Sequence, residues 1–142
     1  MFQGAAALSL DAKGRMVIPT RHRDALDQAA QATNSRLVLT AHPDRCLSLY
    51  PQPAWESLRG RIAGLSLQAR RLLIGFAEEL EIDSAGRVLV PPALRNYASL
   101  EKDIWMIGQI DSFEIWSDAG WKRQQEEIFA LGDKLLPPDF VL

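Results

Sequence analysis

The chain has one cysteine, Cys46, which excludes an internal disulfide and fits a reducing compartment. Placed in a strand-like run, Cys46 is expected to be a small buried apolar residue. Two histidines, His22 and His42, are too few beside one cysteine for an ordinary metal centre. His42, Asp44 and Cys46 do fall close together, but within a probable turn, and no metal is expected there. No apolar run approaches the roughly 20 residues that cross a bilayer. No basic segment followed by an apolar core suggests a signal peptide. A Walker A loop, a dinucleotide fingerprint and a Gly-x-Ser-x-Gly elbow are all missing. No polar constellation indicates catalysis, so neither an enzyme nor a cofactor is expected. Excess positive charge is lacking too, since 142 residues carry a net charge of −2. That length, with 47% hydrophobic residues, suits one compact domain or two small units sharing a core.

What is present is a repeat. Residues 10–19 read Leu10-Asp11-Ala12-Lys13-Gly14-Arg15-Met16-Val17-Ile18-Pro19, and residues 82–91 read Ile82-Asp83-Ser84-Ala85-Gly86-Arg87-Val88-Leu89-Val90-Pro91. Both fit one template: apolar, Asp, two free positions, Gly, Arg, three apolar residues, Pro. Self-similarity of this kind makes the fold two copies of a unit. The offset between copies falls from 72 residues at the motif to 67 at the later pair Asp44 and Asp111. The first copy thus holds five extra residues, for which 31–35 is a suitable place.

Each copy reads as β-hairpin, helix, β-hairpin, helix. Ala7, Leu8 and Leu10 lead into the first turn, and Met16-Val17-Ile18 lead out. Asp11 suits the turn because its carboxylate can accept backbone N–H groups. Gly14 suits the left-handed residue that closes a type I turn with a bulge. Pro19 stops the returning strand, and Thr20 is expected to cap a helix running to about Ala32. His22, Leu26, Ala29 and Ala30 fall on one face of it. In the second copy the helix runs from Pro92 to about Ser99. Between the copies, Trp55, Leu58, Ile62 and Leu65 share one helical face, and Ala69, Leu72, Leu73, Phe76 and Ala77 another. Gly60 and Gly64 argue against one unbroken helix. The last helix is expected from Ser117-Asp118, burying Trp121, Ile128 and Leu131. An apolar, Pro-broken end, 135–142, follows.

Charge is unevenly spread. Residues 1–75 hold ten Lys/Arg against five Asp/Glu, whereas residues 101–142 hold four against nine. A basic face on an acidic protein is therefore available, and local potential counts for more than the total when the partner is a polyanion. The Asp-x-x-x-Arg spacing sets both side chains beside one tight turn. Asp11 and Asp83 can hold the turn, with Gly14 and Gly86 closing it. Arg15 and Arg87 then offer forks that match phosphate oxygens or the O6/N7 edge of guanine. Lys13, Arg21 and Arg23 add charge near the first turn, while the second has Ala85 where the first has Lys13. Taken locally, a structural Asp–Arg pair is the simpler alternative. A two-stranded β-ribbon is nevertheless a shape that enters the major groove.

The doubled motif, the opening Met1-Phe2-Gln3-Gly4, the stretch Tyr50-Pro51 to Trp55, and Gly108, Phe113-Glu114-Ile115-Trp116 and Trp121 resemble the MraZ family of bacterial transcriptional regulators. The resemblance covers Met1 to about Gln125. It implies an α+β fold of two tandem AbrB-type swapped-hairpin units sharing a pseudo-dimeric, β-barrel-like core. The corresponding division is 5–52 for the first unit, 53–76 for a connecting helical segment, 77–120 for the second unit and 121–142 for a C-terminal helix and tail. Also implied are a homo-oligomeric ring and binding of double-stranded DNA at short direct promoter repeats, including those of its own operon. The implied role is mostly repression of the division and cell-wall gene cluster, in the cytoplasm at the nucleoid. An AbrB-fold antitoxin-like or other protein-interaction module is the alternative, motivated by the apolar tail and the acidic C-terminal half.

Overall fold

The computed structural model describes residues 1–29 and 36–142. The strands are β1 (Ala5–Ser9), β2 (Arg15–Val17), β3 (Arg36–His42), β4 (Cys46–Pro51), β5 (Glu78–Glu81), β6 (Arg87–Leu89), β7 (Asp103–Gly108) and β8 (Phe113–Ser117). The helices among the described residues are α1 (Thr20–Ala29), α2 (Gln52–Ile62), α3 (Leu67–Leu73), α4 (Pro92–Tyr97) and α5 (Asp118–Leu131), followed by a 3-10 turn, Gly132–Leu135. The fold is α+β with antiparallel pairing throughout.

Two β-hairpins, β3–β4 from the first copy and β7–β8 from the second, meet edge to edge through β4 and β8. Each hairpin's free edge is then taken by a strand of the other copy. β1 adds to β7 with Leu8 opposite Ile104, and β5 adds to β3 with Leu80 opposite Leu37. The sheet order is β1-β7-β8-β4-β3-β5. β2 and β6 leave this sheet and pair with each other as a separate ribbon, Met16 opposite Val88. Among the described residues the sheet is open, without the closed barrel that the resemblance implies.

The motif hairpins therefore differ from the expected ones. Asp11 N–H donates to Arg15 O, and one bridge joins Leu10 to Met16. Beyond it the strands part, because each finds a partner in the other copy. Thr20 is the first helical residue rather than the cap. The amides of His22 and Arg23 donate to Pro19 O, and in α4 those of Leu94 and Arg95 donate to Pro91 O. The end of the first helix beyond Ala29 and the five-residue insertion at 31–35 lie outside the described residues.

Strand alternation explains the layering, since successive side chains leave opposite faces of a sheet. Leu37, Leu39 and Ala41 of β3 point into the main core with Leu47, Leu49, Ile104, Met106, Phe113 and Ile115. Met16, Ile18, Val88 and Val90 close that core from the ribbon side, with Leu26 of α1 and Leu94 of α4. The other sheet face is covered in two patches. Val38 packs with Trp55 and Ile62 of α2, and Ile107 and Trp116 pack with Trp121 of α5. Thr40 is buried beneath α3, where its hydroxyl donates to Leu73 O at 2.7 Å.

The helical segment between the copies breaks as the glycines suggested. α2 stops at Ile62, and Ser66 caps α3 by accepting from the Ala69 amide. Leu65 falls in the break and is exposed instead of extending the Trp55 face. Ser117 caps α5, accepting from Gly120 N–H. Trp121 packs as expected, but Ile128 and Leu131 do not. They are exposed, with Phe129 at 76%, because packing on β7 and β8 involves the first turns of α5. Cys46 is fully buried, and burial, with the charges of Glu114 and Asp44 behind it, pushes its thiol up so that it stays protonated.

His22 lies in the core edge-on to Phe113, 4.7 Å between ring centres, with Nε2 buried and unpaired among the described residues. Burial, and then the charge of Arg21, lowers its pKa from 6.5. The folded state thus keeps the ring neutral while the unfolded chain protonates it below about pH 6.5. Stability is full above that pH and falls as pH drops through the window between 6.5 and the lowered value, by up to about 1.4 kcal/mol per pH unit. Urea midpoints measured from pH 8 to pH 5 should show this fall, and His22→Leu should flatten it. An equal slope in both proteins would mean that His22 titrates alike in the folded and unfolded chain.

Candidate nucleic-acid interface

The two motif turns have the same internal bonding. Asp11 Oδ1 accepts the amides of Lys13 (2.9 Å) and Arg15 (2.8 Å), and Oδ2 accepts Arg15 Nε at 2.8 Å. Asp83 repeats this with the amides of Ala85 (2.9 Å) and Arg87 (2.8 Å) and with Arg87 Nε at 2.9 Å. Gly14 and Gly86 occupy the left-handed region, with φ +84° and +78°, as closure of the turn requires. Each aspartate is held below the usual carboxylate range, first by the amide of its arginine and then by that arginine's side chain. Both therefore remain ionised at neutral pH. The clamp is complete above about pH 4 and opens only as pH falls through the lowered values.

This clamp fixes how each arginine is shown. Nε faces its own aspartate, which leaves the terminal nitrogens of the fork for a ligand. The side chains of Arg15 and Arg87 are 30% and 36% exposed. Neither is deep in the interior. Register places Arg15 opposite Leu89 and Val17 opposite Arg87. These four residues share the outer face of the ribbon, while Met16 and Val88 face the core. Strand geometry then separates the Arg15 and Arg87 Cα atoms by roughly 8 Å on a diagonal. Val17 and Leu89, each about half exposed, occupy the other diagonal of this patch.

The other expected residues are less uniform. Lys13 and Arg21 are exposed, Lys13 at the tip of the first turn. Arg23 is half-buried. Its guanidinium lies against Gly86, in the turn of the opposite copy, and Nη2 donates to Thr20 Oγ1 at 2.8 Å. Arg95 on α4 lies against Gly14 in the same manner. Sequence reasoning passed over Arg95, although it follows Arg23 by the offset of 72 that relates the motifs. Beside the first turn is an open cleft of about 590 Å³, lined in part by Asp11, Arg95 and Lys102.

The local cluster noted at His42 closes on Cys46 and Glu114, not Asp44, with donor atoms within 4.8 Å of one another. Two of these side chains have another partner through one atom each, while His42 Nε2 faces Glu114 Oε2 at 3.9 Å. His42 Nδ1 accepts the Asp44 amide, which places the proton of a neutral ring on Nε2, and Glu114 Oε1 accepts the Trp116 indole N–H. Cys46 remains a thiol for the reason given above.

The two copies of the turn each fall within a match to a described family. A family model, "MraZ protein, putative antitoxin-like", matches residues 1–71 and again 73–133. The chain is 53% identical to "Transcriptional regulator MraZ" of Azoarcus sp. (strain BH72), covering 96% of this chain and 95% of that protein. It is also 53% identical to the protein of that name from Aromatoleum aromaticum (99% of this chain and 97% of that protein). For Dechloromonas aromatica (strain RCB) the identity is 51%, over 99% and 97%. Two matches in tandem, one on each copy of the turn, place this chain in the MraZ family.

Proposed function

We propose that the chain is a sequence-specific DNA-binding transcriptional regulator without enzymatic activity, and that it represses from short direct repeats in its own promoter. The observation that carries this is the pair of equivalent turns aiming two clamped, partly exposed arginines from one outer ribbon face. A two-stranded ribbon fits the major groove, and an arginine fork whose Nε is fixed loses little freedom on meeting a guanine edge or a phosphate. Lys13 and Arg21 contact backbone phosphate, and Arg23 adds positive charge behind the second turn. Relatives named transcriptional regulators support the regulatory role. Among the described residues no helix is long and apolar enough to cross a membrane. A regulator of this kind acts in the cytoplasm at the nucleoid.

Repetition of the site makes weak contacts sufficient, so we infer a homo-oligomer, in the family's ring form, lying along the repeats. The exposed apolar side chains Phe129, Leu135, Leu136 and Phe140 supply a surface for self-association. The same surface supports a second reading, an antitoxin-like module that captures another protein.

Footprinting on the DNA upstream of the chain's own coding region, at two salt concentrations, separates these readings. Protection of short, regularly spaced repeats is expected. With about four phosphate contacts per protomer, affinity should drop roughly 100-fold between 50 and 200 mM salt through counterion release. Absence of protection at low salt, together with one co-purifying protein in fixed proportion, would establish the interaction module instead.

A further inference from the structure

We propose that Arg95 and Arg23 are positioning residues that set the two recognition turns crosswise, each acting on the turn of the opposite copy. The consequence for DNA rests on the function proposed above; the crosswise support rests on geometry alone.

Three contacts from the second copy grip the first turn. Leu10 N–H donates to Lys102 O and Val90 N–H donates to Gly14 O, each at 2.8 Å. The third is the Arg95 guanidinium. A methyl group added to Gly14 would stand only 2.5 Å from Arg95 Cζ, so the bare backbone of the glycine is the seat of the guanidinium plane. The second turn is held in the same way. Ile18 N–H donates to Gly86 O at 2.8 Å, and Arg23 Cζ sits 2.5 Å from where a Gly86 Cβ would be. Gly14 and Gly86 thus answer two demands, a left-handed turn and the reception of a flat cation.

The choice of arginine is informative. The Nε atoms of Arg23 and Arg95 are both buried and unpaired among the described residues. Such a donor is held against its cost of desolvation, and an aliphatic side chain would fill the seat without that cost. A guanidinium brings what an aliphatic group lacks: a rigid plane to level the turn, and positive charge where a polyanion approaches. The two braces are not equal. Thr20 Oγ1 ties down Arg23, whereas the matching position beside Arg95 is Pro92, which has no hydroxyl.

The test is nitrogen-15 NMR of Arg95→Gln and Arg23→Gln proteins without DNA. Arg95→Gln should shift the Arg15 Nε–H signal and speed exchange of the Lys13 and Arg15 amides, leaving those of Ala85 and Arg87 as in the parent. Arg23→Gln should do the reverse. Equal disturbance of both turns, disturbance of the turn in the same copy, or none at all would overturn the proposal. If Arg95→Gln fails to fold, Arg95→Lys keeps the charge and loses the plane, and the same pattern is required of it. Promoter DNA gives a second arm. Arg95→Gln should weaken binding about five- to tenfold alone, add little to Arg15→Ala, and add fully to Arg87→Ala. Full additivity with Arg15→Ala would count against crosswise positioning. Failure of the parent protein to bind DNA would remove the proposed function and leave the NMR result to stand or fall by itself.

Discussion

Arg15→Ala combined with Arg87→Ala is expected to abolish promoter binding while leaving the fold in place. Each fork engaging a base edge contributes about 1–3 kcal/mol of discrimination, or roughly 5- to 150-fold in affinity. Losing both should lower affinity by roughly 30-fold or more per protomer if the sites act independently. The turns themselves should survive. Asp11 and Asp83 each keep two backbone N–H donors after the guanidinium is gone. The lost ion pairs are partly exposed, and solvent screening leaves such pairs little weight in stability. Fluorescence anisotropy on the footprinted fragment, with thermal unfolding of the same samples, measures both quantities. Unchanged binding by the double variant would remove these arginines from the interface. Lys13→Ala should behave differently, weakening all sequences alike and flattening the salt dependence by about 0.9 per contact removed.

Phe113→Ala should be the most damaging substitution for stability, at about 3–5 kcal/mol. The ring is fully buried, stacked on Phe2 at 4.4 Å and edge-on to His22. Phe113 belongs to the second copy, while Phe2, His22 and its strand partner Leu49 belong to the first. Its removal opens a void where the copies are joined. A chain of this size has roughly 5–15 kcal/mol to lose, so the variant sits near its unfolding threshold. Urea denaturation gives the value. A loss below about 1.5 kcal/mol would mean that the neighbours collapse into the space, and that the stack is not a structural junction.

Much of the local chemistry was legible in the sequence, because local chemistry depends on neighbours along the chain. Asp11 and Gly14 specify a turn by what one carboxylate and one missing Cβ can do, and Ser117-Asp118 marks the start of the last helix. The small size of each copy implied that the two complete one another's sheet around one core, but which strands exchange was not legible from the residues themselves. Leu8 and Leu80 reveal by alternation that one face is buried, but alternation does not say which strand lies alongside. Arg23 and Arg95 were hard for a related reason. An arginine one turn into a short helix reads as solvated, and only the opposite glycine reveals where it rests. Ile128 and Leu131 have helical spacing suited to burial, yet the sheet offers α5 cover only near its start.

The exchange of β1 and β5 has a consequence for any attempt to divide the protein. A fragment severed at Gly64 would keep β3 and β4 but leave the edge that β5 occupies unprotected, and its own β1 would have nothing to lie against. The complementary fragment would be left with the mirror defect. Neither half could bury its apolar ladder without borrowing from a second polypeptide, so the connection through α2 and α3 acts as a covalent tether that turns an intermolecular exchange into an intramolecular one.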